Sequence, residues 1–149
     1  MTDSKEKLAR AYNYLGRIRA LERLILRKTL QRDELQSCLL PRAIKYDIDK
    51  VQSSPGDALL EVAAAVIDLD KEIEKLVCEK AMLIRDISQA IDLLDDDMEK
   101  LVLTAYYICR NPIRKIADEV HYSRSQTYNY YRAGLIHLSE RLDKLDTHI

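Results

Sequence analysis

Residues 116–135, IADEVHYSRSQTYNYYRAGL, decide how the fold of this 149-residue chain is predicted. Apolar residues recur at helical spacing up to Val120, and a second helical stripe follows Ser123, a residue type that commonly caps helices. The pattern predicts a short helix, a turn and a second helix that ends at about Leu142. Two helices joined by a short turn, with a small residue where they cross, form a helix-turn-helix, and Ala117 is that residue.

The second predicted helix has two different faces. Its inward stripe consists of Thr127, Tyr131, Gly134, Leu135 and Leu138. Its outward stripe contains no acidic residue and consists of Ser125, Tyr128, Asn129 and Arg132. Because these side chains can hydrogen-bond to base edges and phosphates, the outward stripe predicts a DNA-binding surface.

Local charge favours the same prediction. From Arg110 to Arg132 the chain has five basic residues against two acidic ones, a net charge of +3. A three-helix bundle with a solvated outer face explains the apolar stripes equally well, but it does not account for this charge. Gln126, three residues after Ser123, fits a capping box better than a base contact. The candidate DNA-binding residues are Arg114, Lys115, Ser123, Arg124, Ser125, Gln126, Tyr128, Asn129 and Arg132.

Composition places the chain among soluble all-α proteins. With 47% apolar and 33% charged residues but only three Gly and three Pro, it favours long helices. No apolar run approaches the roughly 18 residues that span a membrane, and no hydrophobic segment follows the charged N-terminus, so we expect a cytoplasmic protein. The three cysteines are widely spaced, which predicts reduced, mostly buried thiols rather than disulfides or a zinc site; they are Cys38, Cys78 and Cys109.

The net charge of −1 conceals a segregation of charge along the chain. Residues 1–56 carry a net charge of +5 and residues 57–94 a net charge of −5. Apolar residues recur at steps of three and four in both segments, which predicts two long helices paired as a coiled-coil-like antiparallel hairpin over residues 1–94. The pairing can form within one chain or across a homodimer. Residues 95–149 then form the predicted helix-turn-helix domain.

The second long helix has a marked start and an interrupted seam. Ser54 as cap and Pro55 in the first turn predict where it begins, and Pro41 marks the latest end of the first helix. Between them, residues 43–56 are expected to form a loop that packs on the protein. Lys80 interrupts the apolar seam, either as a polar residue that fixes register or, more commonly, as a long side chain that reaches water from the edge of the stripe.

The acidic residues at the start of the C-terminal segment are expected to cap a helix. Asp95, Asp96 and Asp97 cannot converge on one metal ion from a single helix end, whereas Asp96 with Glu99 matches a cap followed by an acid three residues later. Asn111 is expected to cap the next helix, with Pro112 as its first residue.

No arrangement of side chains in the sequence indicates catalysis. A nucleophile–base pair, a glycine-rich phosphate loop and metal-ligand spacing are all missing, so we expect no enzymatic activity, no metal and no cofactor. The histidines have no catalytic partner in view and are His121, His137 and His148. Three tyrosines are expected in the core, namely Tyr107, Tyr122 and Tyr131, while Tyr128 faces outward.

The segment LDDDMEKLVLTAYYICRNPIRKIADEVHYSRSQTYNYYRAGLIHLSERL resembles sigma factor region four, the domain that reads the upstream promoter element. The likeness lies in the acid-capped first helix and in IADEV, YSRSQT and LIHLSERL. His121 stands where the sigma pattern has Gly, Tyr131 where it has an aliphatic residue, and Gly134 where it has Ala. Nothing in the chain resembles the sigma region that melts promoters.

The whole chain, including YDIDKVQSSPGD before a long acidic helix, resembles a family of small regulators of bacteriophages and integrative elements, related to the ArpU and RinA late-operon activators. The resemblance implies double-stranded DNA as partner and transcriptional control of phage or mobile-element genes. The likeness to sigma factor region four implies that residues 98–109 form the surface that faces RNA polymerase. In that arrangement the DNA-reading positions of the recognition helix are occupied by Ser123, Arg124, Ser125, Tyr128, Asn129 and Arg132.

Two alternatives stay open at this point. A small terminase-like phage packaging subunit would also combine a helix-turn-helix with coiled-coil helices, but it would assemble into a ring. A protein-interaction module without nucleic-acid binding would use the same bundle. The target sequence and the sign of regulation do not follow from the sequence.

Overall fold

The computed structural model describes residues 2–39 and 55–146, which are mostly helical and contain no strand. The elements are α1 (Thr2–Leu15), α2 (Arg17–Leu39), α3 (Pro55–Asp92), α4 (Asp97–Leu103), a π-helical segment (Thr104–Ile108), α5 (Ile113–Val120) and α6 (Arg124–Asp146). The predicted all-α class is confirmed. The predicted cap Ser54, the helix stop Pro41 and loop residues 43–54 lie outside the described residues. Across the described ranges, no helix has both the length and the apolar character needed to cross a membrane.

The chain divides into two compact units. Met1–Ala20 and Ala81–Ile149 form one, which we call the bundle unit, and Leu21–Lys80 forms the other, the arm unit. This division differs from the predicted boundary after residue 94, because both ends of the predicted hairpin belong with the C-terminal helices. The reason is the core: Leu15 of α1 and Ile91 of α3 are buried in the same cluster as Leu138 of α6.

The bundle unit is built around one apolar core. It buries side chains from α1, α2, α3, α4, α6 and the π-helical segment, so the N-terminal helix is a structural part of the C-terminal domain. The buried residues are Ala11, Leu15, Ile18, Ile87, Ala90, Ile91, Leu94, Leu103, Tyr107, Leu135 and Leu138. Ion pairs add to this packing at the surface, where Lys7 meets Glu140 at 3.1 Å and Arg10 meets Asp143.

The first long helix is interrupted at Gly16, where the apolar stripe predicted a continuous helix. A Cβ at this position would lie 2.9 Å from the Tyr12 carbonyl oxygen, closer than a real side chain allows. Hydrogen bonds continue across the break, from Gly16 N–H to Tyr12 O and from Ala20 N–H to Gly16 O. Glycine therefore permits a tight local turn that separates α1 from α2.

Within the arm unit, α2 and α3 run antiparallel. Ion pairs join Glu22 to Lys80, Lys28 to Glu72 and Arg32 to Asp70, so the partners advance along one helix while they retreat along the other; the N–O distances are 3.4, 3.1 and 3.0 Å. Lys80 thus makes an interhelical ion pair, which neither interpretation of this residue specified.

The arm unit has little core of its own. Val66 is buried at 7% exposure, while the neighbouring seam residues Leu69, Ile73 and Leu76 are half-buried.

Two of the three thiols differ from the expectation that the cysteines are mostly buried. Cys78 and Cys109 are exposed and Cys38 is half-buried, because Cys78 lies off the apolar seam of α3 and Cys109 lies just after the π-helical segment.

Candidate nucleic-acid interface

Helix α5 ends in a tight turn at His121. Ile116 and Ala117 are buried, as predicted, and fix this short helix against the bundle core. His121 has a φ of 61°, a left-handed conformation that favours glycine, and its N–H donates to the Ala117 carbonyl. The helix begins at Ile113 with Pro112 at the cap position, so the predicted cap at Asn111 is wrong by one residue. Pro112 is extended, with a ψ of 156°, and this sets the start of the helix.

Ser123 anchors the start of α6. Its Oγ accepts a hydrogen bond from the Gln126 N–H at 3.1 Å, which confirms the predicted N-cap. Thr127 is fully buried and donates from both N–H and Oγ1 to the Ser123 carbonyl, at 3.0 and 2.9 Å. The first turn of α6 is therefore held rigidly on the bundle, with the Gln126 side chain exposed.

Helix α6 separates its two faces as the sequence predicted. Thr127, Gly134, Leu135 and Leu138 are buried and Tyr131 is half-buried. The outward stripe Ser125, Tyr128, Asn129 and Arg132 is exposed. Arg124 precedes this stripe at the first position of α6, and Arg114 and Lys115 on α5 are also exposed. The nine candidate residues are thus available to a ligand, and the outward stripe presents donors with no carboxylate.

Gly134 sets the closest approach between α6 and α4. A Cβ at this position would lie 3.1 Å from Leu103 Cδ1 and 3.4 Å from Glu99 Cβ. Leu103 is fully buried, so it has little room to move. The absence of a side chain at residue 134 therefore lets α6 pack directly on α4.

Three tyrosines pack α6 against the π-helical segment. The hydroxyls of Tyr107 and Tyr131 lie 2.7 Å apart in a hydrogen bond, and the Tyr106 ring packs edge-on against both rings. Tyr107 is 1% exposed, and this burial raises the pKa of its hydroxyl far above the ordinary value. The expectation of a buried Tyr122 is wrong: the residue is 39% exposed, and its ring stacks on that of Tyr130.

Arg19 binds the same aromatic cluster from the N-terminal side. Its guanidinium lies 4.6 Å from the centre of the Tyr106 ring and donates a hydrogen bond of 3.2 Å to the Tyr106 carbonyl. A π-helical turn loses the regular α-helical hydrogen bonds, so this donor stabilises a backbone that is otherwise less favourable.

A buried carboxylate joins α4 to α6. Asp96 caps α4 as predicted, accepting from the Met98 and Glu99 N–H groups at 2.8 and 3.2 Å. Glu99 is buried at 5% exposure, and its Oε1 lies 2.6 Å from His137 Nδ1. This hydrogen bond raises the pKa of His137. The histidine expected to lack a partner therefore has one, which sequence reasoning missed because the two residues are far apart in the chain.

A groove opens between α1 and α6 beside the outward stripe. It has a volume of about 350 Å³ and is lined by Leu8, Ala9, Tyr12, Tyr128, Tyr131, Arg132 and Leu135. Tyr12 and Tyr128 are 59% and 52% exposed, so two aromatic rings stand at its mouth. No local pattern in the sequence connects α1 with this surface, because only folding brings Leu8 and Leu135 to the same groove.

In the ranges 2–39 and 55–146, no group of three or more His, Cys, Asp or Glu side chains has the arrangement of a metal site.

No protein-family model matches the chain, and the searches of curated proteins and of solved structures also give no match.

Proposed function

We propose that this chain is a sequence-specific DNA-binding transcriptional regulator of phage or mobile-element genes. The observation that carries the proposal is the exposed, acid-free stripe of Ser125, Tyr128, Asn129 and Arg132 on a helix whose first turn is capped and packed. A rigid helix with hydrogen-bond donors on one face has the form required to read base edges in the major groove.

The arrangement of α4, α5 and α6 supports a domain similar to sigma factor region four. The buried Ala117 lies in the short helix before the turn, and the left-handed His121 occupies the position where that family has glycine. The close approach at Gly134 brings α4 against α6. These features account for an orientation in which α6 projects its outward stripe away from the bundle core.

In the proposed complex the candidate DNA-binding residues have two roles. Arg124, Tyr128, Asn129 and Arg132 on α6 contact base edges or the groove wall, with Ser125 between them. Arg114 and Lys115 are exposed on the preceding helix, which crosses the DNA backbone in helix-turn-helix proteins. Phosphate contacts position the protein, whereas base contacts give sequence preference.

The two roles are separable by experiment. A binding site would first be selected from a pool of random duplexes, and binding to the selected and scrambled duplexes would then be measured across a salt series. We expect Asn129→Ala and Arg124→Ala to lose about 1–3 kcal/mol at particular base pairs and to relax sequence preference. We expect Lys115→Ala to weaken both duplexes equally and to lower the salt slope by about one unit.

The outcome that would contradict this proposal is full discrimination by the Asn129→Ala and Arg124→Ala proteins. In that case α6 would not read the DNA, and the α5–α6 pair would serve only as part of a helical bundle. A complete absence of duplex binding at low salt would favour a protein-interaction module.

Contact with RNA polymerase is a further part of the proposal. Leu101 on α4 is 46% exposed, which leaves an apolar side chain on the helix that the sigma resemblance assigns to the polymerase. Co-purification of the polymerase on promoter DNA, with Leu101→Ser as the test variant, would measure this contact. No association of the unaltered protein would limit the function to DNA binding.

A further inference from the structure

The groove between α1 and α6 shares residues with the proposed DNA-reading face. Tyr128 and Arg132 belong both to the outward stripe of α6 and to the groove wall. The opposite wall is formed by Leu8, Ala9 and Tyr12 of α1. A ligand that covers Tyr128 and Arg132 therefore also reaches the mouth of the groove, where the Tyr12 ring is 59% exposed.

The exposed side of α1 continues this surface. Lys5, Ala9 and Tyr12 follow one another at steps of four and three, so they lie on one face of the helix. All three are exposed. A basic residue and a phenol hydroxyl on the groove side of α1 form a surface that suits an anionic ligand, while Leu8 and Leu135 give the groove an apolar floor.

We propose that α1 forms a second DNA contact, in which Tyr12 and Lys5 bind the sugar–phosphate backbone flanking the bases that α6 reads. This inference rests on the proposed function. The Tyr12 hydroxyl donates a hydrogen bond to a phosphate oxygen, and the Lys5 ammonium adds a charge contact on the same strand. The apolar floor of the groove accommodates the carbon face of a deoxyribose.

The chemistry of the groove favours the DNA backbone over a separate small ligand. The Tyr12 and Tyr128 hydroxyls and the Arg132 guanidinium in its lining are hydrogen-bond donors suited to phosphate, while the Tyr131 hydroxyl is already hydrogen-bonded to Tyr107. Because Tyr128 and Arg132 line the groove and also belong to the outward stripe, DNA bound to α6 would reach the groove. Backbone contacts carry no sequence information, and α1 should strengthen binding to every sequence alike.

The test compares matched substitutions on a mixed-sequence duplex of 24 base pairs at several salt concentrations. Tyr12→Phe removes one hydroxyl and keeps the ring, and we expect it to weaken binding by about 3- to 10-fold without changing the salt slope, because tyrosine is uncharged. Tyr14→Phe, on the opposite side of the same helix, is its control and should bind within twofold of the unaltered protein. Circular dichroism would check that each variant is folded.

Lys5→Ala tests the charge contact, and we expect it to weaken binding and to lower the salt slope by about one unit. Its control is Lys144→Ala, which makes the same charge change near the end of α6, about 18 Å along the helix axis from Arg132. If Tyr12→Phe and Lys5→Ala bind like their controls, the inference is overturned while the proposed function stands. Failure of the unaltered protein to bind this duplex even at low salt would overturn both.

Discussion

Glu99 and His137 form the hydrogen bond that most directly couples the fold to pH. The Glu99 carboxylate raises the pKa of His137 above its ordinary value of 6.5, so the protonated ring is favoured in the folded state. A group with a raised folded-state pKa contributes stability that is fully present below its unfolded pKa. That contribution is lost as the pH rises through the folded-state pKa.

The prediction concerns His137→Gln. The unaltered protein should lose stability as the pH rises from about 6.5 through the raised pKa of His137, and the variant should lack this part of the pH dependence. Urea unfolding at several pH values between about 5.5 and 8.5 would measure it. His121→Gln, which leaves the Glu99 hydrogen bond intact, should retain the dependence; an identical pH profile for His137→Gln and the unaltered protein would contradict the prediction.

Substitution by alanine is expected to change stability in opposite directions at Gly56 and Gly134, which both lie within helices. In Gly56→Ala the new Cβ enters open space at the start of α3, so the gain in helix propensity should raise stability by up to about 1 kcal/mol. In Gly134→Ala the new Cβ would press on Leu103, which is fully buried, so the substitution should lower stability despite the same propensity gain. Urea unfolding of both variants would measure the difference, and equal stabilisation would show that α4 and α6 can move apart.

Helix pairing in the arm unit should depend on its apolar seam more than on its ion pairs. Ile73 is half-buried on the seam, so Ile73→Asp should cost about 2 kcal/mol or more by placing a carboxylate among apolar side chains. Glu72 pairs with Lys28 but its side chain is 54% exposed, so Glu72→Gln should cost only about 0.2–1 kcal/mol. Comparable losses in thermal unfolding would show that charge segregation holds the helices together.

The sequence predicts these helices more accurately than their packing. The start of α3 at Pro55, the cap at Asp96 and the two faces of α6 follow from local patterns within a few residues. The break at Gly16 does not, because the apolar stripe continues past it and only the contact with the Tyr12 carbonyl requires glycine.

The groove between α1 and α6 could not be predicted from local patterns in the sequence. Leu8 and Leu135 are separated by most of the chain, and no local pattern pairs them. The exposed residues of α6 were predictable because helical periodicity alone assigns them to one face. The contribution of α1 to the same surface depends on tertiary packing, which places α1 in the bundle unit.

The number of copies that associate in solution distinguishes a regulator from a packaging subunit. Four large apolar side chains of the arm unit are more than half exposed, namely Leu26, Leu30, Leu60 and Ile67. Leu26 and Leu30 lie one turn apart on α2, and Leu60 and Ile67 lie two turns apart on α3, so each helix exposes only a short apolar strip. We therefore expect a monomer or dimer by light scattering of the full chain, whereas a mass corresponding to many copies would favour the packaging alternative.

The tyrosines that pack α6 against the π-helical segment also give the protein an unusual optical property. The chain has no tryptophan, and eight of its nine tyrosines belong to the bundle unit, with Tyr46 outside the described residues. Tyrosine emission is therefore dominated by the bundle unit, while far-ultraviolet circular dichroism senses every helix. Following both signals during one titration would reveal whether the bundle and arm units unfold together or in separate steps.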